Sequence, residues 1–108
     1  MRYLVTIETV DSGEALPPAE QAAFLEAAVL PTLQAVKAWE DSGKITGGIL
    51  GGRRGAAFIA DAASHEELGD MLRQLPVWGT SEVDITPLES FAHVVKTTGE
   101  TANMLKSM

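Results

Sequence analysis

Lys44-Ile45-Thr46-Gly47-Gly48-Ile49-Leu50-Gly51-Gly52-Arg53-Arg54-Gly55-Ala56-Ala57-Phe58-Ile59-Ala60-Asp61 is the stretch that decides the fold. Residues 44–50 and 56–61 each carry β-branched or aromatic side chains, and the glycine-rich run 51–55 separates them. Two short strands joined by such a turn form a β-hairpin. Gly47, Gly48, Gly51 and Gly52 are dense for a strand and its end. A glycine inside a strand marks a bulge or a closely approaching group, and a bulge is expected here. Arg53-Arg54 is the only adjacent basic pair in the chain. It reads as a solvated hairpin tip, with an anion-binding pair as the alternative.

Working outward, each side of the hairpin carries a helix and then a strand. Upstream, Pro17-Pro18 opens a helix, because proline suits the first turn, where its missing N–H is not needed. Leu25, Val29, Thr32, Val36 and Trp39 recur at three- and four-residue spacing and predict one buried stripe. Pro31 interrupts this helix and predicts a kink or a break there, one that simply wraps the helix around the core or, as the alternative, turns the freed carbonyl near Ala27 toward a pocket. Ser42-Gly43 ends it. Before the helix, Asp11 to Leu16 reads as a loop with Ser12-Gly13 as its turn. Residues 2–10 read as a strand with Tyr3, Val5 and Ile7 on one face and Leu4, Thr6 and Glu8 on the other.

Downstream, Ser64-His65-Glu66-Glu67 has capping-box spacing. Leu68, Met71, Leu72 and Leu75 form the apolar face of a second helix, and Pro76 stops it. Ser81 to Leu88 reads as a fourth strand, with Pro87 placing it at an edge or at its end. Phe91 to Val95 reads as an extended arm and Thr98 to Met108 as a short terminal helix. The order is therefore βαββαβ, an α+β ferredoxin-like arrangement: a four-stranded antiparallel sheet with two helices on one face. The other face is left for water or a partner. Ile45, Ile49, Phe58 and Ile59 supply apolar groups for both faces of the hairpin. A second subunit on the open face, in a closed two-fold dimer, is expected.

Composition narrows the function. At 108 residues the chain holds one core. No apolar run reaches the ~18–20 residues needed to cross a bilayer, and the N-terminus has no signal-peptide pattern. A cytoplasmic setting is expected. There is no cysteine, so disulfides, thiolate metal sites and a cysteine nucleophile are excluded. With a net charge of −7 and eight scattered Lys and Arg, nucleic-acid binding is not expected.

Asp61-Ala62-Ala63-Ser64-His65-Glu66-Glu67-Leu68, then Leu72-Arg73-Gln74-Leu75-Pro76-Val77-Trp78, then Glu82-Val83-Asp84-Ile85-Thr86-Pro87-Leu88 are three segments that resemble the muconolactone isomerase family. Each matches a strand ending in Asp, a capped helix with a Leu-Pro stop, or an acidic–apolar strand. The opening strand and the Ser-Gly step after the first helix match as well. The resemblance spans residues 1 to about 91. It divides the chain into a muconolactone isomerase-like ferredoxin-fold domain at 1–93 and a C-terminal arm or short helix of the same domain at 94–108. It implies a dimeric α/β barrel, often assembled into larger rings, and cofactor-free proton shuffling on a small lactone acid. Where the family carries charge, this chain has Pro31-Thr32-Leu33-Gln34 and Ile45 to Gly52. That difference points to a less charged ligand.

The site expected from sequence is a pocket between the sheet and the helices or a partner. Glu8 is the candidate acid–base residue, its carboxylate tuned by partial burial, with Thr6 assisting as a second catalytic candidate. Tyr3 and Trp78 are candidate substrate contacts. His65 reads as solvated beside a helix cap. His93 reads as a surface or packing residue, or as one reaching a partner subunit. No metal or cofactor motif is present. The expected function is a cofactor-independent isomerase or related enzyme acting on a small, lactone-like metabolite. The alternative is a non-catalytic small-molecule-binding or oligomer-building protein on the same scaffold. The partners expected are a small-molecule ligand and the chain itself, as a homodimer or higher oligomer.

Overall fold

β1 (Arg2–Thr9) runs through the middle of the sheet and organises everything around it. It pairs antiparallel with β3 (Gly55–Asp61) on one side and with β4 (Ser81–Leu88) on the other. β2 (Ile45–Ile49) completes the order β2-β3-β1-β4, so β2 and β4 are the edges. Edge placement of β4 agrees with Pro87, which has no N–H to give a further neighbour. The architecture is α+β and ferredoxin-like, seen in a computed structural model that describes residues 1–10 and 16–108. The expected turn at Ser12-Gly13 lies outside the described residues.

Register sorts the side chains between two faces. Tyr3, Val5 and Ile7 pair with Ala60, Phe58 and Ala56, and these in turn with Ile45, Gly47 and Ile49. This face meets the helices, and Tyr3, Val5, Ile7, Ile45, Phe58 and Ala60 are buried in it. The opposite face carries Leu4, Thr6 and Glu8 beside Ile59, Ala57 and Gly55, with Thr86, Asp84 and Glu82 on β4. The register of β2 against β3 is unbroken, so the expected bulge is absent. Gly47 meets a close approach instead: a Cβ there would collide with the Ala57 carbonyl oxygen and with Phe58 Cα and Cβ.

The first helix is continuous but changes its winding. α1 (Pro18–Phe24) passes into a π-helical turn at Leu25–Val29 and then into α2 (Leu30–Asp41). Within the wide turn the Leu30 N–H donates to the Leu25 carbonyl, five residues back. The irregularity expected from Pro31 thus appears one turn earlier, as local widening rather than a break. Thr32 supports it from the far side, its hydroxyl donating to the Ala28 carbonyl at 2.8 Å. The helix ends in a Schellman motif: Gly43 N–H donates to Glu40 and Lys44 N–H to Trp39. Gly43 sits at φ +83°, which a side chain would strain.

α3 (His65–Arg73) begins as its sequence demands. Ser64 Oγ accepts from the Glu67 N–H at 3.1 Å. The Glu67 carboxylate reaches back one residue further than a standard capping box, accepting from the Ala63 N–H at 2.8 Å. Leu68, Leu72, Leu75 and Val77 complete the core. A 3₁₀ turn at Trp78–Thr80 then leads into β4.

The C-terminal segment departs from expectation. Phe91 to Val95 are helical, and a single helix, α4 (Phe91–Lys106), replaces the arm and the short helix. It crosses the division drawn at residues 93 and 94. Its start is set by Ser90, whose Oγ accepts from the His93 N–H at 3.1 Å. No residue of α4 is buried. No helix among the described residues is long and apolar enough to cross a membrane.

Candidate functional site

The stripe on α1 and α2 does not bury as one continuous face. Leu25 is 52% and Leu33 42% exposed, while Val29, Val36 and Trp39 are half-buried; Thr32 alone is buried. The reason is a gap between this helix and the β2–β3 end of the sheet. A cavity of about 310 Å³ lies there. Phe24, Leu25, Val29, Leu33 and Val36 supply its helix side, and Ile7, Ile49 and Ala56 its sheet side. A smaller recess of about 170 Å³ adjoins it and shares Leu33, Val36, Ile49 and Ala56. The π turn forms part of the wall, a common position for such turns at functional sites.

Polar groups on the wall are few. Thr9 and Thr32 contribute hydroxyls, and the Thr32 hydroxyl already donates to Ala28. Arg53 and Arg54 enter the lining from the hairpin turn. The turn is pinned to the sheet: Leu50 N–H donates to the Gly55 carbonyl and Thr9 N–H to the Arg54 carbonyl, both at 2.8 Å. The two guanidinium groups are therefore carried on a tethered loop. Arg53 Nη1 stands 3.9 Å from Glu8 Oε2, a loose and largely exposed ion pair. A mostly apolar, half-open cavity with two arginines on its wall at one end suits a small apolar molecule bearing a negative group. Among the described residues, no Asp, Glu, His, Lys or Tyr lines the cavity. Among the described residues, no group of three His, Asp or Glu is placed to hold a metal.

The residues singled out by sequence are not gathered in one place. Glu8 and Thr6 point to the open sheet face, and Glu8 touches the site only through Arg53. Tyr3 lies on the helix face, fully buried and away from the cavity lining. Its ring stands 5.0 Å from that of His65, and its hydroxyl 3.5 Å from Met1 Sδ. Trp78 is 37% exposed and outside the lining, although its neighbour Val77 belongs to it. His93 is exposed on the first turn of α4. The cavity residues that sequence reading passed over are Phe24, Leu25, Val29 and Leu33, read as core or left aside. One signal was available: Leu25, Val29, Leu30, Leu33 and Val36 make a wider apolar face than one sheet surface covers. Arg53 and Arg54 were visible as a pair, but their distance from the helix was not.

Comparison with known proteins places this geometry. The chain is similar to muconolactone isomerase as seen in its crystal structure, with a TM-score of 0.66 at 22% identity, over 83% of this chain and 90% of that one. At that identity the likeness is one of fold. No curated protein sequence matches the chain. The family profile described as muconolactone delta-isomerase matches residues 1–93, the whole sheet with α1, α2 and α3. With β1, the hairpin and the capped α3 all inside that span, the chain belongs to the muconolactone delta-isomerase family.

Proposed function

We propose that this protein binds a small, largely apolar organic anion in the cavity between α1–α2 and the β2–β3 hairpin, and acts on it as a cofactor-independent isomerase or related enzyme. The observation that carries the reading is the pairing of a half-open apolar cavity of about 310 Å³ with Arg53 and Arg54 at its hairpin end. Membership of an isomerase family supports the reaction class.

An isomerase of this kind moves a proton from one carbon to another beside a carbonyl. The task needs a base that returns the proton and a cation that stabilises the enolate oxygen. Arg53 fits the second role. Glu8, the described carboxylate that stands 3.9 Å from Arg53, is proposed for the first. Thr6 shares its face. Tyr3 and Trp78, outside the lining, take no part in this reading.

The test is a pair of probes of equal chain length, octanoate and octanol, titrated into the full chain and followed by amide chemical shifts. Binding of octanoate that perturbs Val29, Leu33 and Ile49 is expected, with octanol at least about tenfold weaker. Arg53→Gln then weakens octanoate alone. If neither probe binds, the cavity reading is wrong. Equal binding removes the role of the arginines. Once a substrate is found, full activity in Glu8→Gln would remove Glu8 as the base.

The open sheet face favours a second, compatible feature, self-association. Leu4, Ala57 and Ile59 share that face, and Leu4 is 38% exposed on it. A two-fold dimer that covers this face is proposed, and the mass in solution tests it.

A further inference from the structure

The cavity and its smaller neighbour form one elongated groove. They meet over Leu33, Val36, Ile49 and Ala56, which line both. Topology explains their alignment. After the turn at Gly43, β2 doubles back along α2, tied at the corner by Lys44 N–H donating to the Trp39 carbonyl. Leu33, Val36, Lys37 and Glu40 therefore stand on one helix face, opposite Ile49, Gly47 and Ile45 at alternate positions of β2. Helix residues from Phe24 to Glu40 line the pair of spaces, about 24 Å of helix. Gly47 adds no side chain between Ile49 and Ile45, and the recess lies at that step. Ile45 and Phe58 are buried in its floor. Leu33 and Ile49, where the spaces meet, are 42% and 65% exposed, an apolar surface left uncovered along the groove.

The two ends of the groove differ in charge. Arg53 and Arg54 stand at the hairpin end. The recess carries Lys37 and Glu40 instead. Lys37 Nζ donates to Asp41 Oδ2 at 2.8 Å, so its charge is already engaged. Lys37, Glu40 and Asp41 together carry −1. A carboxylate arriving at the recess end meets Glu40, whereas one at the hairpin end meets two guanidinium groups. The groove thus has a direction: an anionic group belongs beside the arginines, and an apolar one in the recess.

We infer that the ligand is a linear monocarboxylate, its carboxylate at Arg53 and Arg54 and its hydrocarbon tail laid past Leu33 and Ile49 into the recess at Gly47. The inference rests on the cavity reading above and names the shape and charge of the molecule that the site takes. A compact ring fills the first space and leaves the recess empty. A chain also covers the apolar surface at the junction. Each methylene that enters the recess raises affinity by about fourfold. Glu40 sets the second condition. A carboxylate at the tail's far end would face it, so a dicarboxylate of equal length is rejected by an adverse charge. Glu40 is a specificity-determining residue here and takes no part in proton transfer.

The experiment titrates hexanoate, octanoate, decanoate and decanedioate into the full chain, below the concentrations at which they form micelles, and follows amide chemical shifts. Affinity should rise about fourfold per methylene through decanoate. The added shifts should fall at Ile45, Gly47 and Gly48. Decanedioate should bind at least about tenfold more weakly than decanoate. Glu40→Gln, at an exposed position, should leave decanoate unchanged and improve decanedioate by at least about threefold. Octanoate binding with no gain for decanoate, or with Ile45, Gly47 and Gly48 unmoved, overturns the chain-shaped ligand while the cavity reading stands. Decanedioate as tight as decanoate, or unimproved in Glu40→Gln, refutes the selection by charge. If none of the four acids binds, both readings fall.

Discussion

Gly47 and Gly48 are adjacent, yet alanine at the two positions should have opposite effects. Neither has a positive φ, so backbone strain is not at issue. At Gly47 the new Cβ would meet the Ala57 carbonyl oxygen and Phe58 Cα and Cβ, atoms of the paired strand that cannot swing aside. β2 must shift, at a cost of about 2–3 kcal/mol, typical of overpacking. Reduced freedom of the unfolded chain returns about 0.4–1 kcal/mol. The net loss is about 1–2.6 kcal/mol. At Gly48 a Cβ meets nothing within 4 Å. The unfolded-state gain then stands alone, and Gly48→Ala should be stabilised by about 0.4–1 kcal/mol. The separation of roughly 2–3 kcal/mol corresponds to about 10–20 °C in melting temperature for a domain of this size. Urea unfolding followed by circular dichroism, with both variants at one low protein concentration, measures it. If the two unfold together, the close approach at Gly47 is not what selects glycine there, and the reasoning fails. Because Gly47 and Ile49 share β2, Gly47→Ala should also weaken octanoate binding.

Other outcomes follow from burial and capping. Leu72→Ala empties a fully buried position and should cost about 2–5 kcal/mol in urea unfolding. Leu33→Ala, 42% exposed on the cavity wall, should cost under about 1 kcal/mol and show its effect in ligand affinity instead. Ser64→Ala removes the oxygen that accepts from Glu67 N–H and should cost about 0.5–2 kcal/mol, visible as faster exchange in the first turn of α3. The Asp41 hydrogen bond, and then its charge, raise the Lys37 ammonium pKa above its ordinary 10.5. A raised folded-state pKa stabilises below the unfolded value and is lost as pH climbs through the folded one. The pair is fully solvated, so Asp41→Asn should leave the melting temperature at neutral pH unmoved.

The order of elements was legible because each boundary is a local event. Pro17-Pro18, Ser42-Gly43, Ser64 with Glu67, and Pro76 act within a few residues, and the helix and strand limits fall beside them. The alternation of Tyr3, Val5 and Ile7 set the buried face of β1 for the same reason. The extended reading of Phe91 to Val95 failed because β-branched residues suit a strand, while the Ser90 cap and the i, i+4 step from Phe91 to Val95 suit a helix. The glycine pair in β2 was read as a bulge because sequence records a missing side chain, not what occupies its place.

Sequence by itself determined the βαββαβ order, the single core, the chemistry of each face and the kinship with an isomerase family. These follow from periodicity and capping, which a chain expresses wherever it folds. Tertiary structure decided where the cavity lies. Its walls come from Phe24 to Val36, the hairpin and β1, segments that meet only in the folded chain, with the wide π turn forming part of the helix side. It decided that Arg53 reaches both that cavity and Glu8, across 45 residues of chain. It also decided that no residue of α4 is buried. Residues distant in sequence acquire a shared environment only through packing, and no local pattern encodes the gap between two elements.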